Sequence, residues 1–224
     1  MLNNQKIKQV KSHGLLGLQI DEDLTFDCYV EELNRKLSKR IGVLKHISPY
    51  LKQTQRELFY KTIIKPTILY CATIWAYGNK DHETNIIKLQ KRAARSILKA
   101  DRHTRSINMF NSLNWLPFTA ETYINRCTLA FKRTRGKTPS YINNALKLNS
   151  ENHTRNTRYS KLNLLCPRTK RKTEGGRTVA VKTITEWNKL SKEIKESESC
   201  KHFKKTLFNK LIEEQKTNLQ FFHS

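Results

Sequence analysis

Apolar residues recur at alternating steps of three and four, and this spacing constrains the fold more than any other feature of the sequence. It predicts a helix over residues 27–47, capped by Thr25 or Asp27 and ended by Ser48-Pro49. The apolar positions that define its buried face are Phe26, Val30, Leu33, Leu37, Ile41 and Leu44. With only 7 glycines and 5 prolines, the chain has few residues for tight turns. We therefore predict a mainly α fold.

The remaining patterns predict a helical bundle behind a short N-terminal β-hairpin. The hairpin would pair residues 5–10 with 15–20 around a turn at 11–14. A second helix would begin with the capping box Thr54–Glu57, kink at Pro66, end near residue 77, and place residues 68–75 at the centre of the bundle. Further helices are predicted at residues 81–99, 107–113, 121–134, 139–146, 179–190 and 200–214.

The chain divides by pattern into four stretches. Residues 1–24 form the hairpin, 25–147 the helical bundle, and 177–216 a small C-terminal helical segment. Helical patterning fails between 148 and 176, which we interpret as an irregular basic linker. The three tryptophans, Trp75, Trp115 and Trp187, lie among apolar residues, and we predict that all three are core residues.

Charge indicates the kind of partner. The chain has 43 Lys+Arg against 19 Asp+Glu, a net charge of +24. Such an excess is typical of proteins that bind a polyanion, usually nucleic acid and less often an anionic membrane. The longest apolar run, residues 67–77, is about half of the roughly 20 residues that a membrane span needs. We therefore predict no membrane association.

Cysteine usage indicates the compartment. The sequence has 5 cysteines, which are widely separated and form no C-x-x-C pair. This pattern argues against a disulfide framework and against a zinc site. We predict free thiols in a reducing, intracellular compartment, either the nucleus or the cytoplasm.

The strongest candidate site is a run of cations on the helix predicted at 81–99. Lys88, Arg92, Arg95 and Lys99 recur at steps of four, three and four, so they share one helical face about 16 Å long. We call this face, with the adjacent Lys91, the basic rail. The opposite face carries the apolar residues Ile86, Leu89, Ala93 and Ile97. Because no acid occurs between Glu83 and Asp101, we favour phosphate contact over an ordinary solvated face.

A second basic group falls in the predicted linker and just after it. Its members are Arg155, Arg158, Arg168, Lys170, Arg171, Lys172 and Arg177. We rank phosphate binding first for the cluster at 168–177, ahead of a nuclear-localisation-like run or a disordered tether.

The acidic inventory argues against catalysis by this chain. Metal-assisted phosphoryl or nucleotidyl transfer requires clustered carboxylates. Asp21, Glu22 and Asp23 are the only tight acidic group, and a solvated turn before a helix is the more favoured interpretation for them. The histidines show no ligand spacing. We therefore predict no catalytic residue, no metal ligand and no cofactor.

Short blocks along most of the chain resemble, in the same order, one family of proteins. They are similar to the region after the polymerase palm in jockey-like non-LTR (LINE-type) retrotransposon reverse transcriptases. The blocks are LLGLQIDEDL (15–24), KRIGVL (39–44), LFY (58–60), IKP (64–66), LYC (69–71), IW (74–75), LQKRAARSI (89–97), LNWLP (113–117), PSYI (139–142), TR (157–158), GR (176–177), WNKL (187–190) and FK (203–204).

The resemblance implies the thumb and post-thumb region of such an enzyme, with residues 1–24 at the palm–thumb junction. The family's endonuclease, fingers and most of its palm would lie upstream. Its palm signature, an aromatic residue followed by paired aspartates, has no counterpart here. Polymerase activity is therefore not implied, and the divalent metal would belong to the palm.

The implied partners are RNA, DNA or an RNA–DNA hybrid, together with an upstream palm domain. Two alternatives stay open at this point. The chain could be a structural or protein-interaction helical domain, or a decayed transposon remnant without a selected function.

Overall fold

The computed structural model describes residues 10–76, 79–151, 162–167 and 178–217. The fold is mainly α, as predicted, with a two-stranded antiparallel hairpin ahead of the helices. The strands are β1 (Ser12–Leu15) and β2 (Leu18–Asp21). The α-helices are α1 (Asp27–Ile47), α2 (Gln53–Phe59), α3 (Lys65–Leu69), α4 (Ala72–Trp75), α5 (Lys80–Leu98), α6 (Ser106–Leu113), α7 (Phe118–Thr134), α8 (Ser140–Ala145), α9 (Val179–Asn188), α10 (Lys192–Lys195) and α11 (Cys200–Thr217). Short 3₁₀ turns cover Ser48–Tyr50 and Asn149–Glu151, and a π-helical turn covers Tyr60–Ile64.

The hairpin turns at Leu16-Gly17, where both residues have positive φ (49° and 81°). A two-residue turn of this kind matches the right-handed twist of paired strands, and glycine adopts it without steric cost. The predicted turn at residues 11–14 is therefore wrong, because residues 12–14 belong to β1 and pair with residues 19–21 of β2. Of the predicted first strand, residues 5–9 lie outside the described residues, and Val10 is exposed and not in a strand.

Helix α1 has the bounds that its apolar spacing predicts, and all six predicted core positions on it or next to it are buried. Its capping differs from the prediction. Phe26, not Thr25 or Asp27, holds the N-cap position, with a left-handed backbone (φ 61°) and no side-chain cap bond. Thr25 contributes only a long hydrogen bond, which its hydroxyl accepts from the backbone N–H of Asp27 (3.4 Å). The carboxylate of Asp21, at the end of β2, instead accepts hydrogen bonds from the backbone N–H of Thr25 (2.8 Å) and of Phe26 (2.6 Å). Asp21 therefore ties the hairpin to the start of α1.

The predicted helix from 54 to 77 is divided into α2, the π turn, α3 and α4. Its predicted capping box at Thr54–Glu57 is wrong, because the N-cap residue is Lys52, two residues earlier. There the side chain of Gln55 accepts a hydrogen bond from the backbone N–H of Lys52 (2.9 Å). The π turn comes immediately before Pro66, where Lys65 N–H bonds to the carbonyl of Tyr60. A proline lacks the N–H of the regular ladder and crowds the preceding turn, which accounts for the irregularity there.

The second break, between α3 and α4, lies at residues 70 and 71. Tyr70 is extended and Cys71 is left-handed. The prediction that residues 68–75 lie at the bundle centre holds only for part of this segment. Ile68, Ala72 and Trp75 are buried, whereas Tyr70 and Ile74 are each 45% exposed.

Helices α1 and α5 pack side by side and run in the same direction. Near their starts, the Asp27 carboxylate lies 2.8 Å from Nε2 of His82. At the other end, the Ser48 hydroxyl, directly after α1, donates to the carbonyl oxygen of Ser96 (3.2 Å). The side chain of Asn79 caps α5 by accepting from the N–H of Asp81 (2.9 Å). This pair of helices forms one side of the N-terminal core.

Buried apolar residues form two clusters. The first includes the buried faces of α1 and α5 with Trp75, Trp115 and Phe118. The second begins at Leu116 and joins α7 to α9 and α11, with Trp187 at its centre. All three tryptophans are core residues, as predicted. Phe118, the first residue of α7, belongs to the first cluster, whereas the other buried apolar residues of α7 belong to the second. Helix α7 falls inside the predicted 25–147 unit, but it packs with the C-terminal helices. Of the predicted linker, residues 148–151 and 162–167 are described, and there Leu148 and Leu164 form a β-bridge with Leu164 buried in the second cluster. The rest of 148–176 lies outside the described residues, and the linker stays a prediction there.

No helix in the described ranges combines the length and the apolar character that crossing a membrane requires.

Candidate nucleic-acid interface

Helix α5 presents the basic rail on the face opposite its core face. Ile86, Leu89, Ala93 and Ile97 are buried, as predicted. On the other side, Lys88, Arg92 and Lys99 are exposed, while Lys91 and Arg95 are half-buried. The five predicted cations therefore lie on the side of α5 that faces away from the apolar core.

The last cation of the rail lies just beyond the helix. Lys99 is the C-cap residue with a left-handed backbone (φ 51°), and the following residue, Ala100, donates its N–H to the carbonyl of Arg95 (3.1 Å). A non-glycine residue in this conformation costs roughly 1–2 kcal/mol. A cation at a helix C-terminus is in turn stabilised by the helix dipole. The rail thus ends on a fixed turn.

The cations of the rail act on one another. The pKa of Lys91 is lowered from its usual value, first by partial burial and then by the charges of Arg95 and Lys88. In addition, Nε of Arg95 is buried and has no hydrogen-bond partner among the described residues. Like charges at this spacing repel, and a bound anion relieves that repulsion. The arrangement is suited to a polyanion with regularly spaced charges.

Helix α1 adds further exposed cations that sequence reasoning did not assign to the site. After Glu32 the helix contains no further acid. Arg35, Lys36, Lys39 and Lys45 are exposed along it. The signal was present in the sequence, because every lysine and arginine of α1 follows its last acid, Glu32, and every one of α5 except Lys80 follows its last acid, Glu83.

Parallel packing brings the two basic halves to the same end of the helix pair. We call this end, including the loop after α5, the basic pole. Its exposed members are Lys39, Lys45, Arg92, Lys99, Arg102 and Arg105. The acids of α1 and α5 lie toward the opposite end, where Asp27 meets His82. The loop after α5 also carries the exposed Asp101, so cations predominate at the basic pole without excluding acid.

The second predicted basic group falls outside the described residues. This applies to every member: Arg155, Arg158, Arg168, Lys170, Arg171, Lys172 and Arg177. Residues 162–167, which lie between two of these stretches in sequence, are described and are held against α9. Trp187 Nε1 donates to the carbonyl of Leu162 (2.7 Å). The Asn188 side chain accepts from the backbone N–H of Leu164 (3.0 Å) and donates to its carbonyl (2.8 Å). The WN pair noted in the sequence therefore anchors this segment.

The acidic turn at Asp21, Glu22 and Asp23 has a structural use. Partial burial raises the pKa of Asp21, but the hydrogen bonds from Thr25 and Phe26 outweigh it, and the pKa is lowered overall. Within the described ranges, no group of three or more His, Cys, Asp or Glu side chains is placed to hold a metal ion.

A cavity of about 500 Å³ lies between α5, α7, α9 and α11. Its lining is electrically mixed. Lys182 Nζ lies 3.7 Å from a carboxylate oxygen of Glu83, and Arg126 is paired with Glu186. Because these charges are matched within the protein, the cavity is a poorer site for a polyanion than the basic pole.

Comparison with protein-family models, with curated proteins and with solved structures gives no match for this chain. The resemblance to retrotransposon reverse transcriptases therefore stays a prediction.

Proposed function

We propose that this protein binds the sugar–phosphate backbone of a nucleic-acid duplex, as the non-catalytic, thumb-like region of a non-LTR retrotransposon reverse transcriptase. The observation that carries the proposal is the basic rail. Its five cations share the surface-facing side of α5, opposite a fully packed core face, with no acid between Glu83 and Asp101. The sequence resemblance supports the assignment to a thumb.

The dimensions of the rail support contact with several phosphates of one strand. It is about 16 Å long at roughly 1.5 Å per residue. Phosphates of one strand advance about 3.4 Å along a duplex axis, so the rail spans about five of them. Lysine and arginine contacts to phosphate carry little sequence information. We therefore expect similar affinity for duplexes of different sequence, with RNA–DNA hybrid as the first ligand to test.

Binding should depend strongly on salt, because each phosphate contact releases counterions. The experiment is fluorescence anisotropy with a labelled RNA–DNA hybrid duplex between about 50 and 200 mM salt. If about five phosphates are contacted, at about 0.9 for each contact, log K should fall against log salt with a slope of roughly −4 to −5. The absence of binding, or binding that ignores salt, would overturn the proposal.

The rail can be tested with exposed residues alone, so that folding is preserved. The variant Lys88→Gln, Arg92→Gln, Lys99→Gln removes three exposed charges. The magnitude of the slope should fall by about 2–3, at about 0.9 for each lost contact. The matched control is Lys201→Gln, Lys204→Gln, Lys205→Gln, which removes the same charge from exposed positions on α11. Equal losses in the two variants would mean that only total charge matters, which contradicts a site at the rail.

Exposed apolar side chains near the hairpin favour a second candidate function, docking on another protein surface such as an upstream palm domain. Leu16 at the hairpin tip is 85% exposed, and the exposed Tyr70 donates its hydroxyl to the carbonyl of Leu16. Without a partner, this face should promote self-association at high protein concentration. Light scattering tests this: the wild type should associate, and Tyr70→Ser with Ile74→Ser should not. A monodisperse wild-type monomer would count against this candidate.

A further inference from the structure

One aromatic side chain is almost fully exposed beside the basic pole. Tyr50, in the 3₁₀ turn after α1, is 85% exposed. A tyrosine ring offers a large apolar area, and most such rings are placed where they cover a core or meet a ligand. At this exposure, Tyr50 contributes little to the core of this protein.

The turn that carries Tyr50 is held firmly by buried polar groups. The single proton of the buried Ser48 hydroxyl is shared between the carbonyls of Leu44 (2.7 Å) and Ser96 (3.2 Å). The buried Arg56 donates Nη1–H to the carbonyl of Ser48 (3.1 Å). Pro49 at the start of the turn restricts the backbone further. The ring is therefore presented from a backbone that is already ordered.

The same hydrogen bond places the turn next to the rail. Ser96 follows Arg95 directly and precedes Lys99 by three residues. The Cα atoms of Ser48 and Tyr50 can be at most about 7.6 Å apart, because consecutive Cα atoms are about 3.8 Å apart. Tyr50 is therefore two residues along the chain from a side chain that contacts the last turn of α5, the turn that leads to Lys99.

A row of cations along a strand, with an exposed aromatic ring beside it, is the arrangement by which proteins hold unpaired nucleotides. Base pairs inside a duplex are already stacked on one another, so a ring at the end of a phosphate path is useful only where a base is unpaired. We infer that Tyr50 stacks on an unpaired base, and that the preferred ligand is a duplex with a single-stranded extension. This inference rests on the proposed function, since it requires that the rail binds the backbone.

The test compares two RNA–DNA hybrids of equal duplex length, one blunt and one with a four-nucleotide single-stranded extension that contains 2-aminopurine. The protein variants are Tyr50→Ala, Tyr50→Phe and the control Tyr141→Ala, which removes another exposed tyrosine (69%) on α8. Tyr50→Ala should bind the extended hybrid about tenfold more weakly, with blunt-hybrid affinity unchanged. Tyr50→Phe and Tyr141→Ala should bind both hybrids like the wild type.

Fluorescence of 2-aminopurine gives an independent readout, because stacking on an aromatic ring should quench it. Wild type and Tyr50→Phe should quench it, and Tyr50→Ala should not. If the wild type binds both hybrids with the expected salt dependence but Tyr50→Ala matches it on the extended hybrid, the stacking inference is wrong and the proposed function stands. If the wild type binds neither hybrid, both are wrong.

Discussion

Arg126 and Glu186 form a bidentate ion pair, in which Nε and Nη2 of the arginine each lie 2.7 Å from a carboxylate oxygen. The pair joins α7 to α9 beside the second apolar cluster, and Arg126 is only 2% exposed. A bidentate pair fixes both the distance and the rotation between two helices. Residues 162–167 are in turn held by Trp187 and Asn188, at the end of α9 that this pair positions.

Removing the carboxylate from this pair should strongly destabilise the protein. Glu186→Gln leaves the buried Arg126 charge without its partner, and we expect the free energy of unfolding to fall by about 3 kcal/mol. The control is Glu196→Gln, which breaks an exposed pair with Lys192 (3.6 Å) and should cost about 0.5 kcal/mol or less. Urea unfolding followed by circular dichroism measures both changes. Similar losses in the two variants would show that the Arg126–Glu186 pair contributes no more to the free energy of unfolding than an exposed ion pair.

Changing the hairpin turn should stabilise the protein. Leu16 has a left-handed backbone (φ 49°), which costs a leucine roughly 1–2 kcal/mol, and Gly17 follows with φ 81°. Asn-Gly is the pair that such a turn prefers. Leu16→Asn should therefore raise the free energy of unfolding by about 0.5–1 kcal/mol.

The reverse control for the turn is Gly17→Ala. A Cβ at this position would make only ordinary contact with the Tyr70 ring, at 3.9 Å. Its cost therefore arises from the positive φ, and we expect a loss of about 1 kcal/mol. Urea unfolding of both variants gives the comparison. A Leu16→Asn variant no more stable than the wild type would contradict the argument from backbone strain.

The parts of the structure that could be predicted from the sequence are those set by local periodicity. The bounds of α1 and its buried residues follow from three- and four-residue steps, as does the division of α5 into a core face and the basic rail. In these helices, every side chain that decides the pattern lies within a few turns of its neighbours. The pattern is therefore complete in the sequence itself.

The parts that could not be predicted depend on contacts between distant residues or on rare backbone conformations. The hydrogen bonds that hold the residues just before α1 go to Asp21, at the end of the preceding strand, and Leu16 takes a conformation that leucine seldom adopts. Predicting the basic pole would have required the direction of α1 relative to α5. That direction is established by the contacts Asp27–His82 and Ser48–Ser96. Nothing in the spacing of either helix carries that direction.

The role of Asp21 predicts a specific dependence of stability on pH. The pKa of its carboxyl is lower in the folded protein than its usual value, because backbone N–H groups of Thr25 and Phe26 donate to it despite partial burial. A lowered folded-state pKa means that the stabilisation is complete above the unfolded pKa, about 3.9, and is lost as the pH falls through the folded pKa.

We therefore expect Asp21→Asn to show a weaker fall in stability between about pH 5 and pH 2 than the wild type. The control is Asp23→Asn, which changes an exposed residue of the same turn and should keep the wild-type pH dependence. Unfolding free energies measured by urea titration at several pH values give the comparison. If the unfolding free energies of the wild type and Asp21→Asn depend on pH in the same way, Asp21 is not the cause of the acid destabilisation.

The cysteines should differ sharply in reactivity, because the thiolate is the reactive form. Burial, followed by the charge of Glu186, raises the pKa of the Cys127 thiol to about 12, and its side chain is fully buried. At pH 8, the thiolate fraction of Cys127 is then about 10⁻⁴. Cys28 and Cys166 are exposed, so iodoacetamide should modify them first.

Mass spectrometry of peptides after timed alkylation measures each site separately. In native protein, Cys127 should stay unmodified while Cys28 and Cys166 react, and it should react at a comparable rate only in urea. Glu186→Gln provides a second check through stability: it should speed the modification of Cys127 by increasing the unfolded fraction, about tenfold for each 1.4 kcal/mol lost. Equal rates at Cys127 and Cys28 in native protein would contradict the packing of α7 against α9, since a thiol between these helices is reached only when they separate.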